Sequence, residues 1–483
     1  MQAIQQMWKM KKLTGRNKEI SELERKYKSG RSEFIIVYGR RRIGKTFLVN
    51  QLFSDRFTFT YVGTRKQRAK KQLQRFAQQL KQYSGSVYAP VLNTWDEAFD
   101  ELRTLIESRP REERKVIFFD EMPWVDTPKS AFVDALEYFW NAWAAQRDDI
   151  MFIACGSATS WMVKKLVKNR GGLHNRITAQ IYLRPFYLGE CEELLHNLGC
   201  RWDRYTILQC YMAFGGVPYY MTLLDPSKSL AQNMDDLFFA KNAPMREEFD
   251  ELFNALFSNA DTYIAVVKAL AEKRSGMQRA EIIAKTGLSG GSLTKVMDNL
   301  QRCDFIVAYS RYKSSVRNTL YRLADPYTLF YFKFLNGKNP KDEHFWTNNM
   351  LSPSVKAWQG FSFETLCLSH LAQIKQKLGI SGIAANVCSW RCYGDMSSEG
   401  TQVDLVIDRS DRVINLCEMK FSETPYIMTK EYESKLRNRM AVFAAETHTT
   451  KSLATTMVTT YGIMPGLHSG VVQNEVVMDD LFG

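Results

Sequence analysis

The sequence predicts a mixed α/β protein whose first part is a parallel sheet covered by helices. Three observations lead to this prediction. Apolar strand-like runs alternate with amphipathic helical stretches in the first half of the chain, which is the pattern of a parallel sheet. Helical patterns dominate from about residue 185. A second group of strand-like runs begins only after residue 358, which indicates a separate, smaller α/β module.

The individual elements follow from the same patterns. Residues 34–38, 115–119 and 150–154 are apolar runs of strand length, and residues 45–53 are helical. Helical patterns return at 190–198 and 205–214, within a segment 186–255 that we expect to be all helical. Residues 338–342 (Lys-Asn-Pro-Lys-Asp) predict a linker, which we bound at 336–354. A helix at 361–378 and strands at 402–407 and 413–420 complete the last module.

Length and charge limit the classes of function. The 483 residues suggest about three domains. A net charge of +13 favours a polyanionic partner, most often nucleic acid. The alternative is a protein with ordinary solvated lysines.

The nine cysteines contain no Cys-x-x-Cys pair, which indicates reduced thiols. The N-terminus lacks the apolar core of a signal peptide, and no apolar run is long enough to cross a bilayer. We therefore expect a cytoplasmic protein without a membrane partner.

The segment 39–46 (Gly-Arg-Arg-Arg-Ile-Gly-Lys-Thr) has the spacing of a phosphate-binding loop. Gly39 and Gly44 let the backbone curl so that N–H groups face phosphates, and the following helix directs its positive end to the same place. Lys45 is expected to reach the β- and γ-phosphates, and the Thr46 hydroxyl to bind Mg²⁺. A strand before and a helix after the loop argue against a chance match. The segment predicts binding of ATP with Mg²⁺.

Two acids at the end of the strand 115–119 agree with this site. Asp120 suits a contact to magnesium, and Glu121 suits the role of general base that polarises an attacking water. The alternative for Glu121 is an acidic cap on the next turn. Ser157, after the strand 150–154, is either a sensor of the γ-phosphate or a turn residue. Arg176 is either an arginine finger, acting in cis or on a neighbouring subunit, or a surface arginine.

Five short motifs occur in order: Gly-Arg-Asn-Lys-Glu at 15–19, the loop at 39–46, Phe-Asp-Glu at 119–121, Cys-Gly-Ser at 155–157, and Gly-Gly-Val-Pro at 215–218. This combination resembles the prokaryotic archaeal-type P-loop ATPases, a branch of the AAA-like and STAND group, over roughly residues 13–335. The resemblance implies that Arg16 and Glu19 lie beside the nucleotide base. It also implies that Gly216 and Pro218 sit in a helical lid over the nucleotide. A tyrosine-glycine-arginine ending is more usual in the family where this chain has Leu-His-Asn before Arg176.

Residues 261–323 have the pattern of a winged helix-turn-helix, with a third helix at 289–300 and a hairpin after it. The helix offers Ser292, Thr294 and Lys295, and the hairpin tip is basic through Arg311, Lys313 and Arg317. We expect contact with DNA phosphates rather than sequence reading. The alternative is a structural winged helix that packs on the ATPase and binds a protein.

The last module contains Asp404 on one strand and Glu418 and Lys420 on the next. If the strands pair as a hairpin, the two carboxylates lie close enough to hold a magnesium ion, and Lys420 can position a water. The arrangement resembles the PD-(D/E)xK nucleases over about residues 355–450. That resemblance implies Glu364 as a helical third carboxylate, and Gln402 falls on the same strand face as Asp404. The alternative is an inactive fold in which Glu418 and Lys420 form an ion pair.

The sequence thus predicts an ATPase core at 13–185, a helical lid at 186–255, a winged helix at 256–335, a linker at 336–354 and a nuclease-like domain at 355–483. The first hypothesis is an ATP-hydrolysing regulator, either monomeric or homo-oligomeric, coupled to a DNA-directed C-terminal domain. The second is a STAND-like switch that recruits a protein partner. A replication-initiator-like DNA loader is a third, against which the C-terminal α/β module argues.

Overall fold

The computed structural model describes residues 13–157, 161–167, 172–173, 175–314, 318–337, 342–393 and 400–483. The chain divides into two compact units, Met1–Arg184 and Pro185–Gly483. In the described ranges, no helix has the length and apolar character needed to cross a membrane. All nine cysteines are free thiols, and eight of them are buried.

The first unit is built on a five-stranded parallel sheet, which confirms the predicted α/β fold. Its strands are β1 (Glu33–Tyr38), β2 (Phe57–Val62), β3 (Lys115–Asp120), β4 (Ile150–Gly156) and β5 (Ala179–Tyr182). Their spatial order is β2-β3-β4-β1-β5. Because all five strands are parallel, their carboxyl ends meet at one edge, where the segment 39–46 and the acids after β3 also lie.

Five helices cover this sheet: α1 (Asn17–Tyr27), α2 (Lys45–Phe53), α3 (Ala69–Ser84), α4 (Trp95–Glu107) and α5 (Phe132–Ala142). The apolar faces of these helices form separate cores on the two sides of the sheet. β3 and β4 are buried along their whole length, as continuous apolar runs require. Helix α4 begins where the Thr94 side chain accepts a hydrogen bond from the Glu97 amide.

The second unit begins with eight helices: α6 (Leu188–Asn197), α7 (Arg204–Phe214), α8 (Pro218–Met221), α9 (Leu230–Met234), α10 (Pro244–Leu256), α11 (Ala260–Glu272), α12 (Arg279–Thr286) and α13 (Gly290–Arg302). A π-helical turn, Asp235–Phe239, continues α9. Three short strands accompany the last helices: β6 (Met277–Gln278), β7 (Ile306–Tyr309) and β8 (Leu320–Leu323). They form an antiparallel sheet in the order β6-β8-β7.

Four helices follow: α14 (Pro326–Phe334), α15 (Phe345–Asn349), α16 (Pro353–Ser369) and α17 (Leu371–Lys377). Part of the predicted linker, residues 338–341, lies outside the described residues. The rest needs correction, because α15 is packed into the unit. Trp346 is buried, and its amide donates a 2.7 Å hydrogen bond to the Asp235 carboxylate. The apolar pair Phe345 and Trp346 makes this segment part of the core, which a linker would not be.

The last part of the unit is a five-stranded mixed sheet. Its strands are β9 (Ala385–Cys392), β10 (Thr401–Arg409), β11 (Val413–Lys420), β12 (Ser452–Thr459) and β13 (Asn474–Val477), with helix α18 (Lys430–Thr447) between β11 and β12. The order is β13-β12-β11-β10-β9. β9, β10 and β11 pair antiparallel, whereas β11, β12 and β13 are parallel. One apolar core runs through the helices and this sheet.

Candidate functional site

The segment 39–46 forms the loop that joins β1 to α2. Gly39 has φ 153° and Gly44 has φ 88°, a backbone conformation that glycine adopts at little cost. A side chain at Gly39 would meet the Leu183 carbonyl and lie 2.6 Å from Ile43 Cδ1. Gly44 is the N-cap of α2. The strand–loop–helix context that a phosphate-binding loop requires is therefore present.

Lys45 and Thr46 open α2 beneath this loop. The buried Lys45 side chain donates hydrogen bonds to the carbonyl oxygens of Arg40 (2.8 Å) and Gly39 (3.3 Å). The Thr46 hydroxyl donates a 2.8 Å hydrogen bond to Asp120 Oδ2. Lys45 is thus held inside the curl of the loop by two backbone carbonyl groups. Thr46 and Asp120 together offer the hard oxygen atoms that Mg²⁺ prefers.

Asp120 ends β3 and is almost fully buried. Burial, and next the charge of Glu121, raise the pKa of the Asp120 carboxyl. Hydrogen bonds from the Thr46 hydroxyl, the Cys155 thiol and the Glu121 amide oppose that rise. A buried carboxylate with this balance gains from a nearby cation, so the residues present fit a magnesium ion at Thr46 and Asp120. Burial also raises the pKa of the Cys155 thiol.

Glu121 lies on a fixed turn directly after β3. Its φ is 46°, and the 3₁₀ turn Met122–Trp124 follows. Ser157 at the tip of β4 donates a 3.0 Å hydrogen bond to Glu121 Oε1. The sequence proposed a role for each residue but not this contact between them. The role of Ser157 as a γ-phosphate sensor stays a prediction, and so does that of Glu121 as general base.

Two residues of this site escaped the sequence analysis. The Gly63 amide, after β2, donates a 2.9 Å hydrogen bond to the Asp120 carbonyl. A side chain at Gly63 would meet the Glu121 carbonyl and lie 2.8 Å from Val125 Cγ2. The second residue is Cys155, whose thiol contacts Asp120. Both depend on strand pairing in the folded sheet, which no local motif signals.

Arg16 lies behind the phosphate-binding loop. It is buried, adopts φ 59°, and its guanidinium approaches the Ile43 carbonyl at 3.4 Å. The described contact therefore joins Arg16 to the loop backbone, which it braces. The family resemblance implies that Arg16 lies beside the nucleotide base, and that role remains a prediction.

Arg176 is exposed and precedes β5. Thr178 bonds to Phe34 at the start of β1, whereas Leu183 bonds to Tyr38 at its end. Arg176 therefore lies at the amino edge of the sheet, and the phosphate-binding loop lies at the carboxyl edge, about 15 Å away along the strands. That separation argues against a finger acting in cis. Action on a neighbouring copy and an ordinary surface arginine both remain open, so the finger role of Arg176 stays a prediction. His174, before it, lies outside the described residues.

Gly216 and Pro218 belong to the second unit. The Phe186 amide donates a 2.6 Å hydrogen bond to the Gly216 carbonyl, and a side chain at Gly216 would lie 2.7 Å from the Phe186 nitrogen. Glycine is thus required for close backbone approach. Pro218 occupies the first turn of α8, where its missing N–H costs nothing. Their role in a lid over the nucleotide stays a prediction.

In the C-terminal sheet, β10 and β11 pair antiparallel as the hairpin prediction requires. The pairing Leu405 with Cys417 places Asp404 opposite Glu418 in register. Gln402 donates a hydrogen bond to Asp404, so these two side chains share one face as expected.

Donor groups occupy both oxygens of the Glu418 carboxylate. The Tyr432 hydroxyl and Lys420, 2.9 Å away, contact Oε1, and Arg439 contacts Oε2. Burial raises the pKa of Glu418, but Arg439 and then Lys420 outweigh it and lower the pKa. Burial alone would lower the pKa of Lys420. The charge of Glu418 and next that of Tyr432 outweigh burial, so the pKa of Lys420 is raised. The arrangement is the ion-paired alternative that the sequence left open.

Glu364, the third proposed carboxylate, lies on α16. Burial, and next the charge of Asp404, raise its pKa to about 7. The Arg322 guanidinium on β8 lies 3.9 Å from it. Among the described residues, no three His, Cys, Asp or Glu side chains converge as a metal site. Glu364, Asp404 and Glu418 are therefore near one another but do not fit a metal ion as arranged.

The basic hairpin between β7 and β8 makes contacts to the C-terminal module, although its Lys313 side chain remains exposed. The Tyr312 amide donates a 2.8 Å hydrogen bond to the Ser389 carbonyl on β9, and the Tyr312 ring enters the core beside Phe443. Lys313 donates a 2.9 Å hydrogen bond to the Thr447 carbonyl. Arg317 lies outside the described residues. The described part of the tip is thus anchored to the C-terminal sheet, and contact of this hairpin with DNA phosphates stays a prediction.

The exposed positions of α13 are those the sequence proposed. Ser292, Thr294 and Lys295 are exposed at its first turns. Ser289 caps the helix by accepting a hydrogen bond from the Ser292 amide. Arg279 donates a 2.5 Å hydrogen bond to the Thr294 hydroxyl, which leaves Lys295 and Ser292 as the groups available at this end.

Comparisons with known proteins agree with the first unit. Residues 13–224 match the model of an ATPase domain that occurs predominantly in Archaea. An uncharacterized protein of Methanocaldococcus jannaschii is 21% identical over 84% of this chain and 87% of its own length. An uncharacterized ATP-binding protein of the same organism is 42% identical over 41 residues, which are 8% of this chain and 70% of that protein.

Solved structures show weaker similarity. A Walker-type ATPase of Pyrococcus abyssi matches 66% of this chain and 96% of its own, at 16% identity and a TM-score of 0.49. The ORC2 protein of Aeropyrum pernix matches 66% of this chain and 93% of its own, at 15% identity and a TM-score of 0.41. From the family match, residues 13–224 contain an ATPase domain of the archaeal type.

Proposed function

We propose that the protein is a magnesium-dependent ATPase whose nucleotide state controls a nucleic-acid-binding C-terminal half. One observation carries the ATPase proposal. Thr46 bonds to Asp120, the Asp120 carboxylate accepts the Glu121 amide, and Glu121 accepts Ser157, so that the loop, β3 and β4 share one chain of hydrogen bonds. Such a chain aligns a phosphate-binding group, an acid and a base at one edge of the sheet.

Each of these residues has a defined part in hydrolysis. Lys45 leaves the carbonyls of Gly39 and Arg40 to contact the phosphates. Thr46 and Asp120 would hold a magnesium ion, and that ion would neutralise charge on the phosphates. Glu121 accepts a proton from the attacking water once Ser157 releases it or shares the bond. The 3₁₀ turn Met122–Trp124 and the hydrogen bond from Ser157 position Glu121 at this edge of the sheet.

Arg176 supplies the finger to a neighbouring copy in this proposal, so the active form is a homo-oligomer. Support comes from its exposure at the amino edge of the sheet, where it is available to another molecule. Placement of Gly216 and Pro218 in a lid over the nucleotide is part of the same proposal. Closure of that lid would transmit the nucleotide state to the second unit.

For the C-terminal half we propose DNA binding without cleavage in the arrangement described. The order α11-β6-α12-α13-β7-β8 supports a winged helix, and the exposed end of α13 supports phosphate contact. Occupation of Glu418 by Lys420, Tyr432 and Arg439 argues against a ready cleavage site. The second candidate is a switch that recruits a protein, which the anchored hairpin favours because Tyr312 packs on the C-terminal sheet and ties the hairpin to it.

The ATPase proposal is tested by steady-state release of phosphate from ATP with and without magnesium. Wild type, Lys45→Ala and Glu121→Gln are compared, with Glu113→Gln as a control for loss of an exposed acid. Removal of the base should lower kcat by about 10²–10⁴-fold. Magnesium-independent release that is equal in all four proteins would refute it. Incubation with plasmid and Mg²⁺ or Mn²⁺, with Asp404→Ala and Lys420→Ala as references, tests cleavage separately.

A further inference from the structure

A strongly basic segment lies beside the ATPase site and has no part in the chemistry described above. Residues 56–95 contain eight Lys or Arg residues and no Asp or Glu, against a net charge of +13 for the whole chain. Six of the eight fall within residues 65–75, here called the basic segment: Arg65, Lys66, Arg68, Lys70, Lys71 and Arg75. All six are exposed. The basic segment therefore carries six positive charges and no negative charge, in a chain whose net charge is +13.

Internal ion pairs do not account for these charges. In the part of the chain that the structure describes, four of them form no ion pair: Lys66, Arg68, Lys70 and Lys71. Two of the four lie in the first turn of α3, which contains no acid. Cations at the positive end of a helix are unfavourable, by roughly 0.3–1 kcal/mol each at low ionic strength. These cations therefore lower the stability of the helix, and an anion bound at the same end offsets that loss.

Hydrogen bonds join the basic segment to the turn that carries Glu121. The fully buried Gln72 side chain donates to the Thr64 carbonyl (2.7 Å) and to the Trp124 carbonyl (2.8 Å). The guanidinium of Arg65 lies over the Trp124 ring, 5.3 Å from its centroid. Trp124 closes the 3₁₀ turn by donating a 3.0 Å backbone hydrogen bond to the Glu121 carbonyl.

We propose that the basic segment binds the phosphate backbone of a nucleic acid and that this binding stimulates ATP hydrolysis through Gln72 and Trp124. This inference rests on the proposed ATPase activity, because ATP hydrolysis is one of the two quantities measured in its test. The basic segment would be a second nucleic-acid contact, located on the ATPase unit. Between the cations, the exposed side chains of α3 are the amides of Gln74 and Gln78. Cations and amides are the groups that contact phosphates and sugars. A protein interface would present aromatic or apolar anchors instead.

The binding is sequence-independent and salt-dependent by its nature. Each phosphate contact to duplex DNA contributes about 0.9 to the slope of log affinity against log salt concentration. A variant without four of the cations should lose up to about 3.6 from that slope. The exposed positions of the four side chains mean that their replacement by alanine leaves the fold intact, which a thermal melt checks.

The test uses the full chain and two quadruple variants. One is Lys66→Ala, Arg68→Ala, Lys70→Ala and Lys71→Ala. The matched control removes four exposed cations elsewhere on the same unit: Arg103→Ala, Arg109→Ala, Arg111→Ala and Lys129→Ala. Binding to fluorescent duplex and single-stranded oligonucleotides is measured by anisotropy over a range of salt concentrations. ATP hydrolysis is measured with and without the same oligonucleotides, and with polyglutamate.

We expect DNA to raise the hydrolysis rate of wild type and of the control several-fold, and to leave the basic-segment variant at its unchanged basal rate. We also expect that variant to bind DNA at least tenfold more weakly at low salt.

Equal DNA binding by both variants would overturn the inference while the proposed DNA binding stands. Loss of binding without any stimulation in wild type would overturn the link to Glu121. Stimulation by polyglutamate equal to that by DNA would overturn the assignment of the partner. An active ATPase that binds no DNA would remove both nucleic-acid claims and leave the ATPase.

Discussion

Substitution of Gly63 by alanine is a sharp test of how the turn at Glu121 is held. The added methyl group would lie 2.8 Å from Val125 Cγ2 and would also meet the Glu121 carbonyl, whereas ordinary contacts begin at 3.4 Å. Gly63 is not at a positive φ, so the backbone itself accepts alanine. Relief of the overlap with Val125 requires a shift of at least 0.6 Å (3.4 − 2.8), and the Glu121 carbonyl, which is the nearest atom to the added methyl group, must move further.

A shift of that size at a catalytic group lowers kcat by about 10²-fold, and the overpacking costs about 1–3 kcal/mol of stability. The assay is phosphate release at saturating ATP, together with a denaturant titration. Gly360→Ala is the matched control, because a methyl group there has nothing within 4 Å. It should keep full activity. A Gly63→Ala protein with wild-type kcat would show that the position of Glu121 does not govern hydrolysis.

Three further predictions follow from other contacts. Glu33 is fully buried 2.9 Å from Lys26, and although burial raises its pKa, the donors around it lower the pKa to about 2 from 4.5. Its charge therefore stabilises the folded chain above about pH 4.5, and that stabilisation is lost as the pH falls toward 2. In denaturant titrations, Glu33→Gln should lower the free energy of unfolding by about 3 kcal/mol at pH 7 and by little near pH 2. An equal loss at both pH values would contradict this. Tyr312→Ala should lower the free energy of unfolding by about 3 kcal/mol in the same titration, because the ring is buried in the core of the C-terminal sheet. An unchanged free energy of unfolding would mean that the hairpin is not anchored. Arg176→Ala and Lys45→Ala chains, each inactive alone, should regain hydrolysis when mixed, whereas no recovery would exclude a finger acting between copies.

Motifs that are local in sequence were the part of the site that could be predicted. The loop around Lys45 and the acids after β3 are each defined within a few residues, and the parallel sheet then brings them to one edge. The contact of Ser157 with Glu121 depends on the pairing of β3 with β4, so separate roles were predicted for the two residues and their hydrogen bond was not. Gly63 was missed for the same reason, because β2 carries no motif.

The C-terminal site shows a different limit. The spacing of Asp404 and Glu418 predicted that they lie opposite each other, which the register of β10 and β11 bears out. The partners of Glu418 come from α18, where Tyr432 and Arg439 lie 14 and 21 residues further along the chain. A two-residue period along a strand says nothing about which helix side chains reach it. Whether these acids meet as a metal site or as an ion pair was therefore decided by tertiary packing.

The position of Arg176 on the sheet and the packing of the segment 345–354 both depend on contacts that are not local in sequence. Only the pairing of β5 with β1 shows that Arg176 precedes the amino end of a strand rather than following a carboxyl end. In the second case a polar Lys-Asn-Pro-Lys-Asp run suggested a linker, but Phe345 and Trp346 directly after it supply enough apolar surface to pack.

The most direct measurement of the central claim is ATP binding and hydrolysis by the full chain and Glu121→Gln under the same conditions. Equilibrium binding of a fluorescent ATP analogue with Mg²⁺ gives the affinity, and phosphate release gives kcat. We expect Glu121→Gln to bind ATP with an affinity within about threefold of wild type and to show a fall in kcat of about 10²-fold or more. Hydrolysis by Glu121→Gln at the wild-type rate would contradict the assignment of the β3 acids, and absence of ATP binding by wild type would contradict the site itself.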